Sequence, residues 1–145
     1  MNDLVEILRA KTESIGWVFD YGRRDFQNLA EASSENDPKW YFFLDPIRTD
    51  TSQMPTKKIS TGYFMLLSKS DLDEVYDGQQ EVNPDNGKYK KHILPKKTYL
   101  ENDFKNALEC DGTIEITKAE QSDIINLFDD NFDGVLVNFT ITQFL

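Results

Sequence analysis

The stretch "LFDDNFDGVLVNFTITQFL", residues 127 to 145, can be read as a metal loop or as the start of a strand, and the choice decides the fold. Asp129, Asn131 and Asp133 fall at positions 1, 3 and 5 of an EF-hand loop, and Gly134 falls at position 6. Position 12 is Thr140, a neutral residue unable to supply bidentate coordination, where a Glu is needed. The residues after Gly134 also alternate: Val135, Val137, Phe139 and Ile141 face one way, and Leu136, Asn138, Thr140 and Thr142 the other. That is a strand, whereas an EF-hand loop runs into a helix. The reading that follows is a turn at Asp129–Gly134, with Asp and Asn side chains bonding nearby N–H groups and Gly134 at positive φ, launching the closing strand. No metal ligand set is expected there.

Working outward, "KWYFFLDPI" at 39–47 is a continuous apolar and aromatic run stopped by Pro46, which suits a central strand buried on both faces. "ISTGYFMLLSKSD" at 59–71 is a second strand of the same kind. A polar excursion at 48–58 joins them, so the two are expected to pair antiparallel across a loop longer than a tight hairpin needs. Residues 2–13 place Leu4, Val5, Ile7 and Leu8 on one face of a helix that Asn2 can cap. Gly16 ends it, and 14–22 reads as a strand in which Trp17, Phe19 and Tyr21 alternate with Val18 and Asp20.

Residues 23–33 read as a brief helical or irregular connection, 34–38 as a turn cluster, and 72–87 as an acidic loop with at most one helical turn. "KKTYLENDFKNALEC", 96–110, sets Tyr99, Leu100, Phe104, Ala107 and Leu108 at helical spacing before Asp111-Gly112. Residues 113–117 alternate as a strand, whereas "AEQSDIINLFDD" fits a helical face or an irregular strand equally. The expectation is one domain over 1–145, of α+β class: a mostly antiparallel sheet with the N-terminal amphipathic helix and a central helix packed on one face. The length suffices to bury about two-thirds of the unfolded surface.

Composition narrows function. A net charge of −10 argues against gripping nucleic acid through phosphates, though an acidic wall beside DNA would repel the polymer and let it slide. The densest basic run, Lys88 to His92 followed by Lys96-Lys97, reads as a solvated face. A lone cysteine, Cys110, excludes an intramolecular disulfide framework and suits a cytosolic setting. The sequence shows neither a basic signal-peptide start nor an apolar run near the ~18 residues that cross a bilayer, so neither export by that route nor a membrane is expected. Asn138-Phe139-Thr140 then matches a glycosylation sequon by chance.

No catalytic, cofactor-binding or metal residue is expected. His92 has no second His to share a metal, reads as a surface residue, and has no support from spacing as a partner for Cys110 or a serine. Neighbouring carboxylates, Glu35 with Asp37, Asp71 with Asp73 and Glu74, Asp129 with Asp130, follow from acidic composition. Glycines never take phosphate-loop spacing. The ten Phe, six Tyr and two Trp are core material rather than a base-stacking platform, since no basic groove accompanies them.

With "KWYFFLDPI" and "STGYFMLLS" as strand pair and "DGVLVNFTITQF" as closing strand, the order resembles the neck and tail-completion proteins of tailed bacteriophages, tail terminators and head-to-tail joining proteins among them. The resemblance covers most of the chain as a pattern without a diagnostic motif. It implies a structural virion protein, assembled in the bacterial host cytoplasm, forming a six-fold or twelve-fold homo-oligomeric ring in the neck. Portal or adaptor and tail proteins would lie above and below, with DNA passing through the lumen unbound. The segments 48–58 and 72–92 would project to those neighbours, and they are long for a minimal tail terminator. The alternative is a small acidic cytosolic module of the immunity type, masking a basic partner.

Overall fold

The computed structural model describes residues 3–22, 39–69, 89–110, 112–127 and 132–145. Helix α1, Leu4–Ser14, begins at Asp3, whose extended backbone and carboxylate fit an N-cap; the carboxylate accepts from the Glu6 N–H at 3.3 Å. The cap is therefore Asp3 rather than Asn2. Leu4, Leu8 and Thr12 recur every four residues and form the buried stripe. Gly16, at φ 87°, ends the helix, and Trp17 N–H donates back to the Thr12 carbonyl at 3.0 Å. Asp3→Ala should cost about 1 kcal/mol, read from the shift in thermal midpoint.

The sheet contains β1 (Val18–Tyr21), β2 (Tyr41–Leu44), β3 (Arg48–Asp50), β4 (Lys57–Lys69), β5 (Ile114–Leu127) and β6 (Phe132–Phe144). Their order is β1-β2-β4-β6-β5, with β3 paired to β4 beyond the end of β2. Only β1 and β2 run parallel; every other pair is antiparallel. The aromatic run of β2 is interior and buried on both faces as its composition demands, and it pairs antiparallel with β4. The spine is the β4–β6 ladder, unbroken from Lys57↔Phe144 to Lys69↔Phe132.

The second helical segment, α2, covers 89–109 and contains π-helical turns at Tyr89–Ile93 and Leu100–Phe104. It lies on the same face as α1. Leu4, Leu8, Ile93, Leu100, Phe104 and Leu108 from the helices meet Phe42, Leu44, Phe64, Leu66 and alternate residues Val135 to Ile141 of the sheet. Each fully buried large apolar side chain contributes about 1.5–3 kcal/mol. Ring packing organises this core: Phe42 stacks on Phe64 at 4.4 Å, and Trp17 lies within 6.3 Å of Phe42, Tyr99 and Phe104. The opposite face carries a smaller cluster of Tyr41, Phe43, Met65, Leu67 and Phe132. The α+β architecture is thus the one the hydrophobic pattern implies.

Three sequence expectations need correction, and one reading left open is settled. Residues 48–58 are largely a hairpin, with β3 turning back onto β4; Thr49 and Ser60 hydroxyls meet at 3.2 Å and Asp50 accepts from Ser52 N–H at 2.9 Å. The central helix starts seven residues before Lys96, at Tyr89. The ambiguous stretch from Ala119 joins 113–117 in one long strand to Leu127, because β6 requires a partner along its length. Gly134 is not a turn residue: it is paired with Leu67 and Ile124 inside the sheet, and its φ is not positive. The expectations for 23–38, for 70–88 and for 128–131 lie outside the described residues.

Candidate functional site

The densest polar chemistry among the described residues surrounds Lys96. On α2 it occupies the stripe that holds Ile93 and Leu100, so the helix aims it into the core, where it is 0% exposed. Its ammonium donates to Ser68 Oγ at 2.7 Å and to the His92 carbonyl, and lies 4.8 Å from the Trp40 ring centroid. Ser68 and Asp133 are direct cross-strand neighbours of β4 and β6. Burial pulls the Lys96 pKa down to about 7, and the Asp133 charge opposes the shift. His92 Nδ1 lies 3.4 Å from Ser68 Oγ.

A serine beside an amine with pKa near neutrality is what a Ser–Lys nucleophilic pair requires. Access decides against it. Both Ser68 and Lys96 are buried, so a substrate carbonyl cannot reach Oγ without opening the core. The arrangement ties α2, β4, β6 and the entry to β2 together and carries no reaction in this state. The lysine read as part of a solvated run is thus a core residue, and half-buried His92 is not the surface residue expected. The signal was present: Ile93, Lys96 and Leu100 are spaced three and four apart.

His92 and Cys110 cannot act together. They stand near opposite ends of α2, eighteen residues apart, out of reach of each other's side chains. Cys110 is exposed, with its thiol donating to the Ala107 carbonyl at 3.4 Å. Of the calcium-like sequence, Asp129 and Asn131 lie outside the described residues, while Asp133 and Gly134 belong to a paired strand and cannot belong to a chelating loop. Glu35, Asp37, Asp71, Asp73, Glu74 and Asp130 also lie outside. Among the described residues no group of three or more His, Cys, Asp or Glu could hold a metal, and no helix is long and apolar enough to cross a membrane.

Two surface features remain. One is an apolar cleft of about 40 Å³ that runs into the core between the helices and the sheet, lined by buried Leu8, Leu100, Phe104 and Leu108, passing half-buried Ile116 and reaching exposed Ala119 on β5. It is well under the ~150 Å³ that accommodates a benzene-sized ligand, so it fits a side-chain tip. Lys97 bridges to Asp123 at 2.7 Å beyond it; that hydrogen bond raises the Lys97 pKa and fastens α2 to β5. The other is the end of the sheet where the β3–β4 turn meets the end of β6. Leu145 N–H donates to the Thr56 carbonyl at 3.0 Å, so the turn that carries Met54 adjoins Phe144 and Leu145; the three are 39%, 43% and 51% exposed. Exposed apolar residues grouped at one end of a sheet suit contact with another protein. Compared with known proteins, the chain matches no family model and no characterised sequence.

Proposed function

We propose that the chain is a structural subunit of a ring at the head–tail junction of a tailed bacteriophage, connecting portal and tail around the DNA passage. The observation that carries the reading is the surface. A chain of net charge −10 exposes a cluster of large apolar residues at one end of its sheet, while its one described serine–amine pair is sealed from substrate. Surface of that kind is spent on assembly. The acidic balance supports a lumen through which DNA moves without being held, since carboxylates recruit no phosphate. The β3–β4 turn is exposed throughout 51–56 and in this reading would supply the contact to a neighbouring ring.

Light scattering on the purified 16.8 kDa chain, alone and mixed with the portal of the same phage, tests the proposal. Six or twelve copies, seen as rings by electron microscopy, are expected in at least one condition. A strict monomer in both would end the ring reading, and a one-to-one complex with a basic protein would replace it with the inhibitor reading.

A further inference from the structure

We propose that the apolar end of one copy's sheet seats on the cleft beside β5 of a second copy; the inference rests on the ring reading and specifies its contact. Among the described residues, three of the seven exposed large hydrophobics, Met54, Phe144 and Leu145, lie at that end. Lys57 stands directly across the ladder from Phe144, with Lys58 next to it. Among the described residues neither lysine has an ion-pair partner. The nearby Asp50 carboxylate is held ionised by the Ser52 N–H, the first cause of its lowered pKa, and Arg48 beside it offsets that charge. Lys57 and Lys58 therefore leave the end apolar and locally cationic on a chain of net charge −10.

The cleft has the complementary character. Leu100 and Phe104 line it from a π-helical turn, and the same turn exposes Glu101 and Asp103, which have no ion-pair partner among the described residues. π-Helical turns are uncommon and recur at functional positions, here where helix and cleft meet. Two copies of net charge −10 repel each other at long range, so a stable contact must set the cationic part of one against carboxylates of the other. The two patches are different surfaces of the molecule. Contact between them is head-to-tail, which closes into a ring when the rotation per copy permits.

The test uses the full chain with Cys110→Ser, carrying Met54→Cys in one preparation and Ala119→Cys in another, mixed and treated with a short bismaleimide linker. The 54–119 cross-link between copies should form at least tenfold faster than one between Met54→Cys and Glu13→Cys, with Glu13 exposed on α1. Adding Glu101→Lys to the second preparation should slow it, and adding Lys57→Glu with Lys58→Glu to the first should restore it. Equal rates for the two pairs overturn the contact. If the wild-type chain still forms rings, only this contact is wrong; if it also stays monomeric with and without the portal, the ring reading falls with it.

Discussion

Gly134→Ala is expected to remove about 4 kcal/mol or more of stability, most of what a domain of this size has available. The cause is backbone proximity. A Cβ built on Gly134 would lie 1.9 Å from the Leu66 carbonyl oxygen, 2.9 Å from its carbon and 3.0 Å from Leu67 Cα. Those atoms belong to β4, held against β6 by thirteen consecutive residue pairs, so no side chain can rotate away to make room. Either the strands separate, exposing Leu66 and Val135 beneath, or the ladder breaks near its Phe132 end. Gly62→Ala on the facing strand provides the control: its Cβ would meet Ile47 Cγ2 at 3.0 Å, and that methyl can shift at a cost of about 1 kcal/mol. Urea unfolding of both variants reads the difference. Similar midpoints would show that β4 and β6 are not in close approach at Gly134.

The same glycine marks what the sequence could and could not reveal. Alternation from Val135 to Ile141 assigned those side chains to one face, and the structure places all four in the core under the helices. Tyr41 to Leu44, apolar without alternation, had to be buried on both faces, and Phe42 and Leu44 do face away from Tyr41 and Phe43. These elements were legible because burial imposes a period on the residues. Gly134 was misread because a glycine after Asp and Asn has the composition of a turn, while its real constraint, a carbonyl on another strand, is non-local. Arg48–Asp50 lacked a signal for a related reason: all three residues are exposed, so nothing in their chemistry records pairing with β4. The Ala119–Leu127 stretch has acceptable helical chemistry and became strand through pairing with β6. The cleft and the exposed end of the sheet were invisible to spacing, since each is assembled from elements distant in sequence.

Lys96 gives the second large effect, and its signature is a dependence on pH. The unfolded lysine releases its proton near 10.5, whereas in the folded chain burial lowers that value to about 7. Below pH 7 both states are protonated and the folded state bears the full cost of a buried ammonium. Between about 7 and 10.5 the unfolded state binds more protons, so stability attributable to this group rises with pH; above that window both states are neutral. From pH 7 to pH 9 the gain is about 2 kcal/mol. Lys96→Met keeps the side chain's length and its packing on Trp40 while deleting the titration. The variant loses the hydrogen bonds to Ser68 Oγ and the His92 carbonyl at every pH, and at low pH it is relieved of the ammonium's desolvation. Wild type should therefore gain about 2 kcal/mol on the variant between pH 7 and pH 9, measured by urea unfolding at matched ionic strength, whatever their order at pH 7. Subtracting the variant cancels every contribution that the two chains share. Parallel stability curves would place the Lys96 amine in water rather than between Ser68 and Trp40, and α2 would then lack its polar tie to the β4–β6 ladder.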